Sequence, residues 1–409
     1  QGPVVGMPDK ESFYKNVPAG FAMRWLGHDA TMELKAVLDL NRAKNYDEYV
    51  DALKNFQCPA QNFVYADADN NIAIWVNGKY PEKWKDQGKF LMDGTNPAYE
   101  WQGWIPHEQD PHVKNPMRGF VSSANQTPAD STYPYYLNWQ FEAFTRGHHI
   151  NERLAQMNHI TADSMRMLQD DATNIVAENV LAPMLSYVDQ SKLNDVQKQI
   201  LLSLTKWNFV AATSSSEQSV FNEWWNNLKA AIWNDEFGSS EMMFPNTDIS
   251  VQTVAKNVNR QWIDNKNTPE AETLGVLVNA TFIASVDSLT KNYGADLKQW
   301  SWGKVKSTHI SHLLRIPAFS HTFVNAAGGA LMVNATGADH GPSWRMIVEL
   351  GKQPHAFGIY PGGQSGNPGS PFYDNMIDRW SNGLQNELLI LNSEADKNSR
   401  ILGSLILKN

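Results

Sequence analysis

"GFVSSANQTPADSTYPYYLNWQFEAFTRGHHINERL", residues 119–154, joins an irregular polar segment to a helical pattern. Within it, residues 122–136 have neither the 3.6-residue period of a helix nor the two-residue period of a strand. Pro128 and Pro134 restrict the backbone here, because the proline ring fixes φ. The pattern predicts an ordered loop that fixes the polar amide of Asn125 at the end of an apolar run.

The composition limits the classes of function. The chain has 409 residues, 42% of them hydrophobic, which suits two or three average domains or one large α/β body. Its net charge of −9 argues against a nucleic-acid partner, since phosphate binding needs a basic face. No apolar run approaches the roughly 18 residues of a transmembrane helix. Cys58 is the single cysteine, which excludes an intrachain disulfide framework.

The N-terminal part predicts strands and a helix pair. Gly2 and Pro3 read as a turn that enters a strand at Val4 and Val5. Residues 30–56 contain two helical patterns, the second capped by Asn45 or Asp47. The apolar side of the first pattern consists of Met32, Leu34, Val37 and Leu38. Residues 63–65 and 72–76 then flank a polar Asp/Asn turn, which is typical of a β-hairpin.

The rest of the chain is mainly helical before strands return. Thr161 is expected to cap a helix that runs towards Val188, with Pro183 kinking or splitting its far end. A second helix is expected over residues 194–207. Strands are predicted at 328–337 and 343–350, and a last amphipathic helix at 376–388. This order predicts one mixed α/β body with sections 1–135, 136–299 and 300–409.

Two possible metal motifs are weak. Asp67-x-Asp69-x-Asn71 resembles the start of a calcium loop, but Ile72 stands where that loop needs Gly, and Gly78 where it needs Glu. A hairpin turn is the better interpretation. The histidines lack neighbouring Cys or carboxylate clusters at ligand spacing, so we expect them to be capping or core residues and predict no metal site; they are His148, His149, His309 and His312.

The motif "GGQSGNPGS" does not match a nucleotide or nucleophile loop. A P-loop requires a Lys that is absent, and a nucleophile elbow requires a different Gly spacing around Ser365. A tight structural loop is the prediction. The 15 Trp residues could stack sugars, but many, such as Trp75 and Trp207, fall in apolar patterns typical of a core.

Several separated motifs resemble the β chain of the penicillin acylases and of their relatives that act on N-acyl-homoserine lactones, aculeacin and cephalosporins. These motifs are "FVYADADNNIAIWVNGKYP", the opening stretch, "ITADSMRMLQDD" and "GIYPGGQSGNPGSPFYDNMIDRW". The resemblance implies an N-terminal nucleophile hydrolase, an α/β (α+β) fold with stacked αββα layers. We expect that sandwich to be incomplete in this chain and to carry a large helical section.

The resemblance also implies site residues. Asn125 matches the Asn of the oxyanion hole, where a fixed donor is worth roughly 10²–10³ in rate. Arg146 matches the Arg that steadies the site. The alternative for Asn125 is a turn residue, and the alternative for Arg146 is a helix-end or ion-pair residue. The positions that line the acyl pocket in penicillin G acylases align with Val37 and Gln61, which puts a benzyl-sized acyl group in doubt.

Gln1 cannot be the nucleophile, because the family uses the hydroxyl of an N-terminal Ser with its own α-amine as base. The start of the chain resembles an interior segment of the β chain, reached by processing or by truncation. We therefore expect this chain to be inactive alone, and its partners to be other chains or segments of the same precursor. Calcium stays possible but unsupported, since the resemblance places most of the family's calcium ligands outside this chain, and the family Asp that follows the oxyanion Asn is replaced near Leu137. No other cofactor is expected.

The sequence thus predicts part of a periplasmic or extracellular hydrolase of linear amides that acts on a small molecule. An acylase for N-acyl-homoserine lactones is the alternative within the family. A non-catalytic, aromatic-rich glycan-binding protein is the alternative from another class. Neither nucleic acid nor a membrane is expected as a partner.

Overall fold

The computed structural model describes residues 2–5, 20–238, 243–393 and 395–407. The chain divides into unit 1, Gln1–Gly147, and unit 2, His148–Asn409. The three sections expected from the sequence stay a prediction. Gln1, on which the argument about the missing nucleophile rests, lies outside the described residues.

In unit 1, short strands flank one pair of helices. The elements are β1 (Val4–Val5), β2 (Phe21–Ala22), α1 (Glu33–Leu40), α2 (Tyr46–Leu53), β3 (Gln61–Ala66), β4 (Ile72–Asn77) and β5 (His112–Lys114). Strand β1 pairs with β2, and a three-stranded antiparallel sheet has the order β3-β4-β5. The predicted first strand, helix pair and hairpin are confirmed.

Helix α2 packs on the hairpin and forms a small core. Its N-cap is Asn45, whose side chain accepts from the backbone amide of Glu48 at 2.9 Å. Leu53 and Trp75 are buried against each other in one apolar cluster. The indole of Trp75 donates to the hydroxyl of Tyr46 at 2.9 Å, so this buried polar atom has a partner.

Helix α1 is confirmed, but its apolar side is uncovered within the described residues. Ala36 is fully buried, whereas Leu34 is 75% exposed. Met32, Val37 and Leu38 are also exposed. The amphipathic pattern therefore predicted the helix correctly. The apolar face that it defines is not covered by the described residues of unit 1.

The Asp/Asn motif closes the hairpin. Asp67 Oδ1 accepts from the backbone amides of Asp69 and Asn71, each at 2.9 Å. The side chain of Asn71 also donates to Asp67 Oδ2 at 2.9 Å. Hydrogen bonds from Asn71 are the largest cause that lowers the pKa of Asp67, to about 2. The hairpin-turn interpretation is confirmed.

Helix α3 (Phe144–Gln156) begins in unit 1 and ends in unit 2, and most elements of unit 2 are helices. The further elements of unit 2 are α4 (Ala162–Gln169), α5 (Ile175–Ser186), α6 (Asp195–Leu204), α7 (Ser216–Phe237), α8 (Thr247–Lys256), α9 (Leu274–Tyr293), α10 (Trp302–Lys306), β6 (Thr308–Ile310), β7 (His321–Val324), β8 (Arg345–Glu349), β9 (His355–Ile359), α11 (Ile377–Ser381) and β10 (Asn386–Leu388). Strands β6 and β7 form a hairpin, and the other sheet has the antiparallel order β10-β9-β8.

The two longest helices, α7 and α9, pack against each other through buried aromatic side chains. Trp224 and Phe282 are fully buried, with ring centroids 4.9 Å apart in an edge-on arrangement. The indole of Trp224 donates to the carbonyl of Val278 at 3.0 Å. Eight of the Trp residues are buried, as their apolar patterns predict. Among the described residues, no helix has both the length and the apolarity that crossing a membrane requires.

The helix expected from Thr161 towards Val188 is two helices, so that prediction is wrong in its extent. Thr161 does cap α4, but the chain leaves the helix at Asp170. Asp171 Oδ1 then accepts from the amide of Thr173 at 2.9 Å, and Asn174 caps α5. Pro183 lies inside α5 and does not end it.

The strand predicted at 328–337 is a loop. Its carbonyls turn towards a side chain instead of a neighbouring strand: Lys306 Nζ donates to Ala327, Gly328 and Thr336 at 3.0, 3.2 and 3.0 Å. A buried ammonium needs several acceptors, and this loop supplies them. The strand predicted at 343–350 is confirmed as β8.

The helix predicted at 376–388 is also shorter than expected. Helix α11 ends at Ser381, and Gly383 has a φ of +68°, in the left-handed region that Gly adopts readily. The chain then forms β10, which pairs with β9. The apolar residues after the glycine therefore belong to a sheet.

Asp110 is a buried carboxyl group in unit 1. It is 1% exposed, and neither of its carboxyl oxygens has a hydrogen-bond partner in the described part of the chain. Burial raises the pKa of Asp110 to about 8; the nearby backbone amide of Gly78 offsets part of this effect, and the charge on Glu108 adds to it. The folded protein therefore binds a proton at neutral pH that the unfolded chain releases.

This proton makes stability depend on pH. Because the folded pKa is raised, the stabilisation is complete below the ordinary carboxyl pKa of 3.8 and is lost as pH rises towards about 8. We expect Asp110→Asn, which keeps a neutral group, to flatten this loss. Its thermal midpoint should exceed that of the wild type at pH 8, by roughly 1 °C for each kcal/mol in a chain of this size.

Thermal unfolding of the complete protein between pH 4.5 and about 8.5 measures this effect. Asp69→Asn is the matched control, because Asp69 is exposed on the hairpin turn. Its curve should follow the wild type. Parallel curves for Asp110→Asn and the wild type would contradict an ionising Asp110.

Candidate active site

The loop that carries Asn125 holds this residue in an unusual backbone conformation. Asn125 has a φ of +67°, which Asn tolerates better than most residues. Its carbonyl accepts from the amide of Glu142 at 3.0 Å. Its own amide donates to Ser123 Oγ at 3.4 Å. The backbone of Asn125 is thus fixed from both sides.

Arg146 fixes the side chain of the same residue. Its Nη2 donates to Asn125 Oδ1 at 3.0 Å from the first turn of α3. A guanidinium has only donors, so the atom that faces it must be the amide oxygen. The other end, Nδ2, has no hydrogen-bond partner among the described residues. Asn125 therefore presents two free N–H groups.

The loop and helix approach closely at Gly147. A Cβ on Gly147 would lie 3.0 Å from Oε1 of Gln126, tighter than ordinary contact. That same oxygen accepts from the amide of Ala124 at 2.6 Å. The absence of a side chain at 147 thus lets Gln126 brace the loop beside Asn125.

A cleft of about 710 Å³ in unit 1 opens beside Asn125. Its walls are mostly neutral amides and apolar or aromatic side chains. They are Trp25, Ala60, Gln61, Asn62, Val76, Tyr80, Pro81, Lys83, Asn125, Gln126, Pro128, Leu137, Asn138, Trp139, Gln140, Phe141 and Glu142. Two of these residues carry charge, Lys83 and Glu142. Glu142 Oε2 lies 3.9 Å from Arg146 Nη2, so it partly offsets the guanidinium.

The two residues expected to line the acyl pocket are placed differently. Gln61, at the start of β3, lines the cleft beside Asn125. Val37 lies on α1, 45% exposed, and is not among the lining residues. The structure does not bring Val37 and Gln61 together in this cleft, and their roles stay predictions.

The residue expected to replace a family calcium ligand offers no side-chain oxygen to calcium here. Leu137 has no carboxylate, and its carbonyl already accepts from Lys83 Nζ at 2.7 Å. That carbonyl oxygen therefore already has an ammonium donor. Across the described ranges, no cluster of three or more His, Cys, Asp and Glu side chains is arranged to hold a metal.

The histidines and Ser365 have structural contacts. His149 is buried, with Nε2 3.0 Å from Asp171 Oδ2. His148 faces Glu152 at 3.3 Å, one helical turn away. His312 Nδ1 accepts from the amide of Leu314 at 3.2 Å. Ser365 lies in an irregular loop, in which its backbone N–H donates a hydrogen bond to the carbonyl of Phe372 at 3.0 Å, as the loop prediction requires.

The sequence pointed to Asn125 and Arg146 but not to their surroundings. Glu142 stands four residues before Arg146, so helical spacing could have suggested that pair. Lys83 and Gln126 carry no such signal. Lys83 contacts Leu137, 54 residues further along the chain, and the contact of Gln126 with Ala124 depends on the conformation of the loop.

Comparison with known proteins agrees with this fold. A solved penicillin G acylase from Alcaligenes faecalis superposes with a TM-score of 0.62 at 15% identity, covering 92% of this chain and 73% of that one. An acyl-homoserine lactone acylase of Pseudomonas fluorescens is 25% identical over 392 residues, 89% of this chain and 48% of that protein. A penicillin acylase 2 proenzyme of Pseudomonas sp. is 20% identical over 353 residues, 83% of this chain and 45% of that protein.

The fold is that of the N-terminal nucleophile hydrolases. The sequence profile of penicillin amidase matches residues 1–397, and the chain belongs to the penicillin amidase family. The expected family and fold class are confirmed. The chain spans about half the length of the curated relatives it matches.

Proposed function

We propose that the protein containing this chain hydrolyses linear amides by acyl transfer, as penicillin acylases do. Its substrates would join an acyl group to an amine-bearing core such as a β-lactam nucleus. The chain would contribute the oxyanion donor Asn125 and the positioning residue Arg146. We propose a periplasmic or extracellular location from the same family resemblance.

The observation that carries this proposal is the orientation of the Asn125 amide. Amide hydrolysis builds negative charge on the former carbonyl oxygen, and a donor already aimed at that position stabilises the transition state without reorganising. Arg146 holds Oδ1, which leaves the Nδ2 protons beside a cleft of suitable size. An Asn that only stabilised the turn would not need the contact with Arg146.

Hydrolysis of N-acyl-homoserine lactones is the second candidate. Relatives named as acyl-homoserine lactone acylases match 89% of this chain at 25% identity. The chemistry is the same, because the scissile bond is again a linear amide. The two candidates differ in the group that carries the leaving amine. A β-lactam nucleus bears a carboxylate, whereas a homoserine lactone does not.

We further propose that the nucleophile is the N-terminal Ser of another chain or segment of the same precursor, produced by autoproteolysis. The Ser hydroxyl would attack the amide carbon while the α-amine accepts its proton. Collapse of the tetrahedral intermediate releases the amine and leaves an acyl-Ser ester, which water then hydrolyses. On this proposal the present chain is inactive alone.

Substitution of Asn125 in the complete protein tests the oxyanion role. Asn125→Gly removes the donor and keeps the positive φ at no cost. By contrast, Ala would add about 1–2 kcal/mol of backbone strain. We expect kcat to fall roughly 10²–10³-fold with KM little changed.

Asn125→Asp is the matched variant, since it keeps the shape and the contact with Arg146 but offers only acceptors. It should be no more active than Asn125→Gly. Steady-state kinetics on an amide substrate measures both variants. Activity of Asn125→Asp near the wild type would exclude the oxyanion role.

Arg146 should act through Asn125. We expect Arg146→Met to lower kcat about 10–100-fold, the value of a hydrogen bond to a charged group. Because the lost contact is with Asn125, the double variant with Asn125→Gly should be little worse than Asn125→Gly alone. Arg42→Met is the control and should stay near the wild type, because Arg42 is exposed and outside the cleft lining. Multiplicative losses in the double variant would show that Arg146 acts independently.

A serine-directed sulfonyl fluoride tests the origin of the nucleophile. In an active preparation we expect its mass increment on a companion polypeptide that begins with Ser, joined non-covalently to this chain. Intact-mass spectrometry after inactivation locates the label. Label on a Ser of this chain, with loss of activity, would refute a separate nucleophile.

A further inference from the structure

Lys83 lies in a short segment that is fixed on both sides. The amide of Glu82 donates to the carbonyl of Gly103 at 2.9 Å. The amide of Trp84 donates to the side chain of Gln87 at 3.1 Å, and Gln87 is 1% exposed. The stem of Lys83 therefore starts from a defined position in the wall of the cleft.

The ammonium of Lys83 is only partly satisfied. It has three donors, of which one reaches the carbonyl of Leu137 at 2.7 Å. It also lies 5.4 Å from the ring centroid of Tyr136. No carboxylate forms an ion pair with it in the part of the chain that the structure describes. Burial lowers the pKa of Lys83, because the surrounding side chains replace part of the water around its charge.

The other charged residue in the cleft does not compensate Lys83. The carboxylate of Glu142 is 54% exposed and is oriented towards Arg146. The remaining polar lining residues, among them Gln61, Asn62 and Asn138, are neutral. A half-buried cation without a counter-charge binds an anion more readily than a fully solvated cation does, because less water has to be removed from the cation.

We propose that Lys83 determines substrate specificity by binding a carboxylate of the substrate in the cleft beside Asn125. The inference rests on the proposed amide hydrolysis and assigns its substrate class: amides that carry a carboxylate. A β-lactam nucleus carries such a group on the amine side, whereas a homoserine lactone is neutral. On this proposal, Lys83 favours the β-lactam substrate over the homoserine lactone.

Two pairs of amides test the proposal in the complete protein. N-octanoyl-homoserine and its lactone share the acyl chain and the scissile bond but differ in a carboxylate on the amine side. The 4-nitroanilide of glutaric acid and its methyl ester differ in a carboxylate on the acyl side. In at least one pair, we expect the wild type to have a higher kcat/KM for the carboxylate-bearing amide than for its neutral partner. The pair that shows this preference identifies whether Lys83 binds a carboxylate on the amine side or on the acyl side.

Lys83→Gln should reduce kcat/KM for that acid about 10–100-fold, mainly through KM, because one charged contact is lost. The neutral member of the pair should change less than about twofold. Lys83→Arg should retain the preference, and added salt should weaken it in the wild type. Lys85→Gln is the matched control, since Lys85 is exposed, nearby and outside the cleft lining.

The outcomes separate this inference from the proposed function. Equal losses for acid and neutral substrates in Lys83→Gln would make Lys83 a structural support for Leu137 and overturn the inference. Hydrolysis without preference for either acid would also overturn it while leaving the proposed function intact. Hydrolysis of none of the four amides by the wild type would overturn both.

Discussion

A guanidinium can only donate, so the bond from Arg146 to Asn125 decides which end of the amide remains free. The oxygen is held, and the nitrogen is left beside the cleft. The same loop keeps a positive φ at Asn125 and is braced by Gln126, and Gly147 leaves room for that side chain. Backbone, side chain and helix thus impose one orientation on a neutral donor. A donor held in one orientation needs no reorganisation when negative charge develops opposite it, whereas a solvated amide does.

Much of the fold could be predicted from local signals. The helix pair, the hairpin, the caps at Asn45 and Thr161, and β8 follow from periodicity and capping chemistry, which act over a few residues. The errors have non-local causes. Residues 328–337 have strand composition, but the carbonyls of Gly328 and Thr336 accept from the side chain of Lys306. The face of α1 was correctly identified as apolar, yet periodicity cannot reveal what covers it.

The candidate site shows the same limit. Asn125 and Arg146 could be found through family resemblance, and the bond between them adds a geometric reason for their pairing. Lys83 could not be found, because its proposed role rests on the lack of a counter-charge among the described residues and not on a motif. A lysine in "PEKWKD" is an ordinary surface residue until the fold places it in a wall of amides and aromatic rings. Family membership therefore supports the proposed chemistry, while the proposed substrate class rests on this individual position.

The buried acid Asp110 also affects how folding is observed. A carboxyl that is ionised in the unfolded chain and protonated in the native one takes a proton from the solution as the chain folds. Near neutral pH the buffer supplies this proton, so its own ionisation enthalpy enters any heat measured by calorimetry. Unfolding enthalpies recorded in phosphate and in an amine buffer would then differ although the protein is unchanged.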